Sequence, residues 1–95
     1  MGKKTAVIIK DKERQYEGLR CSLGLLLEDH QVSMIVLNHE INPTEEYTDN
    51  MGFIDEMGGH RFSNEETNIS KHGFTSLHLT SLQDMLKDFD AIIPF

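Results

Sequence analysis

The stretch Glu17–Ile41, EGLRCSLGLLLEDHQVSMIVLNHEI, constrains the fold of this chain more than any other. A segment with one leucine-rich face runs directly into the short apolar run Val32–Leu37 and then into a polar loop, Asn38-His39-Glu40. A second apolar run, Thr5–Lys10, precedes it. Both runs are continuous rather than alternating in polarity, as in strands covered on both faces. Strand, helix and strand in this order form a βαβ unit, whose strands are parallel and joined by a crossover.

The remainder of the chain extends the same alternation. The first helix is expected over about Arg14–Asp29, with Tyr16, Leu19, Leu23, Leu26 and Leu27 on one face at 3.6 residues per turn. Asn42-Pro43 reads as the start of a second helix, with Asn42 as cap, Pro43 in the first helical position, and Glu45 and Glu46 at the positive helix end. Tyr47, Met51 and Ile54 form its buried stripe, Met57 lies at the margin, and Gly58-Gly59 stops it. Arg61-Phe62-Ser63 is a short third strand. Ser63-Asn64-Glu65-Glu66 reads as a capping box opening a short helix that ends near Gly73. Leu77 and Leu79 alternate with His78 and Thr80 as a short strand. Ser81 then caps a helix with the stripe Leu82, Met85, Leu86 and Phe89, and Ala91–Phe95 closes as a strand. The expected fold is a single three-layer α/β domain over residues 1–95, with a mostly parallel sheet of about five strands and right-handed crossovers.

Bulk properties narrow the function classes. Ninety-five residues with a formal charge of −7 lack the clustered Lys and Arg that nucleic acid or an anionic membrane demands. The basic residues near the start, Lys3 to Arg14, are interleaved with Asp11 and Glu13. A single cysteine excludes an intramolecular disulfide, and the absence of CxxC argues against structural zinc. The opening MGKKTAVII has too short an apolar run for a signal peptide, and Ala6 breaks the myristoylation pattern. No run is long enough to span a bilayer. A cytoplasmic protein is expected.

The chemistry-bearing candidates lie where open α/β sheets bind ligands, at the carboxyl ends of the strands. The loops there are Lys10–Glu13, Asn38–Asn42 and Ser63–Asn68. None is glycine-rich, and neither GxGxxG nor a P-loop occurs, so no nucleotide cofactor is expected. Lys10, Asn38, His39 and Asn64 are the candidate ligand-binding residues. His39 is the one histidine on such a loop and has the chemistry of an acid, a base or a ligand. The histidines have no metal-ligand spacing, and no metal is expected. Cys21 falls mid-helix, one turn after Glu17, without the cationic neighbours or helix N-terminus that lower a thiol pKa. No catalytic residue is assigned. Cys21, Leu25 and Phe53 fall off the core stripes and are candidate subunit contacts.

The order of elements resembles the DsrE/DsrF-like family, which includes the Tus sulfur-relay proteins. The matching stretches are Ala6–Ile9, Glu17–Leu25, Asp29–Val32, Ile35–Leu37, Gly73-Phe74, Ser81–Leu86 and Phe89–Phe95. The resemblance implies a small parallel-sheet domain that assembles into oligomers, often trimers or hexamers, with copies of itself or with related subunits. It also implies, for sulfur-carrying members, a persulfide cysteine after the third strand and shortly before an Arg-Gly. Here that region reads Ser63–Asn68, followed by His72-Gly73. The expectation is an oligomeric accessory or binding protein, linked to sulfur metabolism but not itself a sulfur carrier and not an enzyme. The alternatives are a small-ligand binder or enzyme using the carboxyl-end residues, and a purely structural oligomer.

Overall fold

The structure is a computed structural model that describes residues 3–95. The leader and lipidation readings begin at Met1 and Gly2, which lie outside the described residues. The elements are β1 (Lys4–Ile9), α1 (Gln15–Leu27), β2 (Gln31–Val36), α2 (Glu45–Glu56), β3 (His60–Ser63), α3 (Glu66–His72), β4 (Thr75–Ser76), α4 (Leu79–Leu86) and β5 (Ala91–Pro94). A 3-10 turn, Lys12–Arg14, leads into α1.

The five strands form one parallel sheet in the order β4-β3-β2-β1-β5. The chain steps β1 to β4 in one direction, with α1, α2 and α3 crossing the same face. It then reverses, and α4 crosses the opposite face to set β5 beyond β1. A right-handed crossover changes face when the direction of travel reverses, so strand order and helix placement agree. The result is a three-layer α/β/α sandwich.

Parallel strands in the middle of such a sandwich must be apolar on both faces, and β1 and β2 are. Val7, Ile9, Met34 and Val36 pack under α1 and α2 with Leu19, Leu26, Tyr47, Met51 and Ile54. Ala6, Ile8, Ile35 and Leu37 face the other way, toward Leu82, Met85 and Leu86 of α4. The two faces are unequally covered: α4 has eight residues, none of them buried.

Helix α1 meets the sheet through Gln15, Gly18, Leu19, Ser22 and Leu26. Small residues let the helix approach, and a Cβ on Gly18 would overlap the side chain of Ile9. Ser22 spends its hydroxyl on the Gly18 carbonyl, 2.8 Å away. Tyr16 turns toward α2, where its ring meets Tyr47 edge-on at 5.1 Å and its hydroxyl bonds Thr44. Leu27, expected on the buried face, is 72% exposed. The helix ends there, and the stripe has drifted past its neighbour.

Three boundaries differ from expectation. Thr44, not Asn42, caps α2, accepting from the Tyr47 amide. Ser63 is no helix cap: it ends β3, and its hydroxyl accepts from the Glu65 amide two residues on. The strand read at Leu77 and Leu79 is Thr75–Ser76, and Leu79 begins α4. Short apolar runs carry no periodicity that separates a strand end from a helix start. Gly73, at φ 73°, closes α3 in the left-handed conformation.

Arg61 ties the third strand to its surroundings. Its guanidinium pairs with Asp55 at 2.7 and 2.9 Å, donates to the His72 carbonyl at 2.7 Å and lies over the Phe74 ring. Strand, α2 and the end of α3 are thereby joined by one side chain.

Candidate functional site

The register sets the carboxyl edge flush. Ile9 pairs with Val36, and Val36 with Ser63, so Lys10, Asn38 and Asn64 emerge on one side of the sheet. Asn38 takes a left-handed φ of 66°, which asparagine tolerates better than most residues. That turn brings it against Asn64 in a reciprocal pair: the Asn38 amide donates to Asn64 Oδ1 at 2.8 Å, and Asn64 Nδ2 donates to Asn38 Oδ1 at 2.9 Å.

Behind this pair lies Asn68, fully buried. Its Oδ1 accepts from the Ile41 amide at 2.9 Å, and its Nδ2 donates to the His39 carbonyl at 2.9 Å and to Ser63 Oγ at 3.1 Å. One side chain thus fixes the loop after β2 to the loop after β3. His39 folds back on its own backbone, with Nδ1 2.9 Å from the Leu37 carbonyl. With Nδ1 as the donor, Nε2 carries the lone pair, but that atom is buried without a partner.

Of the four sequence candidates, Asn38 and Asn64 therefore bond each other, and the neighbouring His39 is tied through its carbonyl to Asn68. Lys10 stays outside this group. Its amide donates to the Phe95 carbonyl at 2.9 Å, and its exposed side chain has no partner among the described residues. Asn38 and Asn64 spend side-chain groups on each other, and His39 Nδ1 is spent on the backbone.

The open space lies one strand further out. A cleft of about 580 Å³ is lined by Asn64, Glu66 and Ile69 on one wall and by Ser76, Leu77, His78, Leu79 and Thr80 on the other. Its position follows from topology. The loop after β3 leads to α3 on one face, and the loop after β4 leads to α4 on the other. Neighbouring strands whose connections leave to opposite faces open a crevice at their carboxyl ends. Sequence reasoning reached Asn64 but missed Ser76, His78 and Thr80, because placing a strand at Leu77 and Leu79 hid the start of α4. Asn68 had no local signal, since its partners lie up to 29 residues away.

Cys21 is half-buried against the α1-side core, and burial pushes its thiol pKa up. It is a thiol rather than a thiolate at neutral pH. Leu25 is half-buried beside it. Nine residues on from Tyr16, Leu25 lies about 180° around the helix, away from α2. Phe53 is 51% exposed on α2, so Leu25 and Phe53 belong to different surfaces. Among the described residues, no group of three His, Cys, Asp or Glu side chains is placed to hold a metal ion. Nor is any helix long and apolar enough to cross a membrane.

Fold and edge together define an α/β/α domain with a ligand-sized cleft at a topological switch point. Comparison with protein-family models, with curated proteins and with solved structures finds no match for the chain.

Proposed function

We propose that this chain is an accessory or binding protein of DsrE/F-like type that assembles with itself or with related subunits and does not carry sulfur. The observation that supports this most is the state of the loop after β3. In the sulfur-carrying proteins that the chain resembles, that loop presents a cysteine. Here Ser63 ends the strand, bonded to Glu65 and Asn68, and Asn64 opens the loop, bonded to Asn38. Sulfur transfer needs an accessible thiolate, and the one cysteine of the chain is on α1 with a raised pKa. Exposed apolar residues on several elements, including Phe53, Leu79 and Ile92, favour association. Incubation with a sulfur donor tests the first half of the reading. No stoichiometric labile sulfur is expected on wild type; sulfur that is lost in Cys21→Ser and passes to an acceptor thiol overturns it. Light scattering at micromolar concentration tests the second half, with monomer alone as the refuting result.

The cleft between β3 and β4 supports a second reading, a binder of small molecules. Its volume falls in the range of ligand pockets, and hydroxyl, imidazole and carboxylate groups alternate there with Ile69, Leu77 and Leu79. A ligand with both polar and apolar parts suits that lining. Mass spectrometry of the protein purified from its native cell is expected to find such a compound, and Ser76→Trp, which fills the cleft, is expected to lose it. An empty wild-type protein removes this reading.

A further inference from the structure

A second cavity, at the opposite end of the sheet, has a more specific chemistry. It holds about 350 Å³ and is lined by Lys4, Gln31, Val32, Ser33, Gly58 and His60. Strand register explains why four polar side chains meet there. Lys4 pairs with Gln31 in one row of the sheet, and Ser33 with His60 in another, two residues further along β2. Residues two apart on a strand share a face, and adjacent strands lie about 4.8 Å apart. All four therefore project from the face that α4 covers. The helix is too short to reach them, and no α4 residue lines the cavity.

Each of the four side chains can donate a hydrogen bond, and none has a hydrogen-bond partner among the described residues. Ser33 is 5% exposed, whereas Lys4, Gln31 and His60 are exposed. Lys4 has no ion pair among the described residues; its ammonium sits 5.0 Å from the centre of the Phe89 ring. The nearby Asp90 carboxylate accepts from the Lys4 amide at 2.9 Å instead. No carboxylate lines the cavity. In a chain of net charge −7, a cavity lined by four side chains that can donate, one of them a lysine, and by no acid matches an acceptor-rich ligand.

We propose that this cavity binds a small organic oxyanion, a phosphate group carried on a short stem. Ser33 and Gln31 donate to the oxygens, Lys4 supplies the charge, and His60 closes the β3 side. The stem follows from size, because the cavity exceeds what a bare phosphate fills. The site is independent of both readings of the carboxyl end.

The test is a titration of isotope-labelled protein followed by amide NMR. Sodium phosphate and glycerol phosphate are the probes, and sodium chloride at matched ionic strength is the control. The Gln31, Ser33 and His60 amides are expected to shift and saturate in the millimolar range with phosphate, and at lower concentration with glycerol phosphate. Ser33→Ala is expected to weaken binding about tenfold, as loss of a hydrogen bond to a charged group does, while the spectrum stays that of a folded protein. Lys4→Gln is expected to weaken it similarly. Lys87→Gln, which removes an exposed lysine just past the end of α4 that pairs with Asp84, is expected to change nothing. Shifts that track the chloride control overturn the site, as does equal weakening by Lys87→Gln. Equal affinity for the two probes overturns the stem. If Lys4→Gln does not fold, Ser33→Ala decides alone.

Discussion

Replacing Tyr47 with Phe should make this protein more stable. Tyr47 is fully buried in the first turns of α2, and its hydroxyl has no hydrogen-bond partner. Its ring packs edge-on against Tyr16 within the larger core cluster. The substitution keeps the ring and that contact and deletes only the hydroxyl. A buried polar group without a partner costs about 1–3 kcal/mol, and loss of one oxygen from a packed core returns a small cavity penalty. The net expectation is a gain of about 1 kcal/mol. For a domain of this size that raises Tm by roughly 4–8 °C, and it raises the urea midpoint with an unchanged m-value. A second signature lies in pH. Burial, and then the neighbouring Tyr16, push the Tyr47 pKa up, against an opposing effect of Arg61. The unfolded phenol ionises near pH 10. Because the folded pKa is higher, the unfolded state releases its proton first, and stability falls as pH rises above about 10. Below that pH the contribution is fully present. Tyr47→Phe should therefore flatten the alkaline limb of the stability profile. Equilibrium urea unfolding at neutral and alkaline pH measures both effects. A loss of 1 kcal/mol or more on substitution would refute the reasoning, because it would mean that the hydroxyl is hydrogen-bonded, for instance through an internal water.

Asn68→Ala should cost about 3–5 kcal/mol, since it leaves the Ile41 amide and the His39 carbonyl without their partner and opens a cavity; urea unfolding showing a loss under 1 kcal/mol would contradict the role given to this residue. Gly18→Ala, which in an exposed helix gains up to about 1 kcal/mol, should here cost about 1–3 kcal/mol through overlap with Ile9. Ile9→Ala in that background should recover part of the loss, and strict additivity in the double-mutant cycle would show that the two positions do not meet.

The sequence by itself determined the alternation of elements and most of their extents. The unbroken apolar runs of β1 and β2 required a sheet covered on both faces, and the structure has one. Tyr47, Met51 and Ile54 defined the buried stripe of α2, and Gly58-Gly59 stopped it where the helix ends. These features are legible because they depend on neighbours within a turn or two of the chain. Strand order, by contrast, depends on which distant segments pair, and periodicity says nothing about that. The reversal after β4 made the cleft, set its wall residues Ser76, His78 and Thr80, and left the cavity at Lys4, Gln31, Ser33 and His60 unlined by α4. Polar burial was equally invisible. Asn38, His39 and Asn64 were recognisable as loop residues on the binding edge, but only the tertiary structure showed the two asparagines bonded to each other and His39 held by Asn68. Whether a polar side chain faces a ligand or satisfies a neighbour is decided by donors and acceptors that lie 26 to 29 residues away, which a local reading of residue types cannot reach.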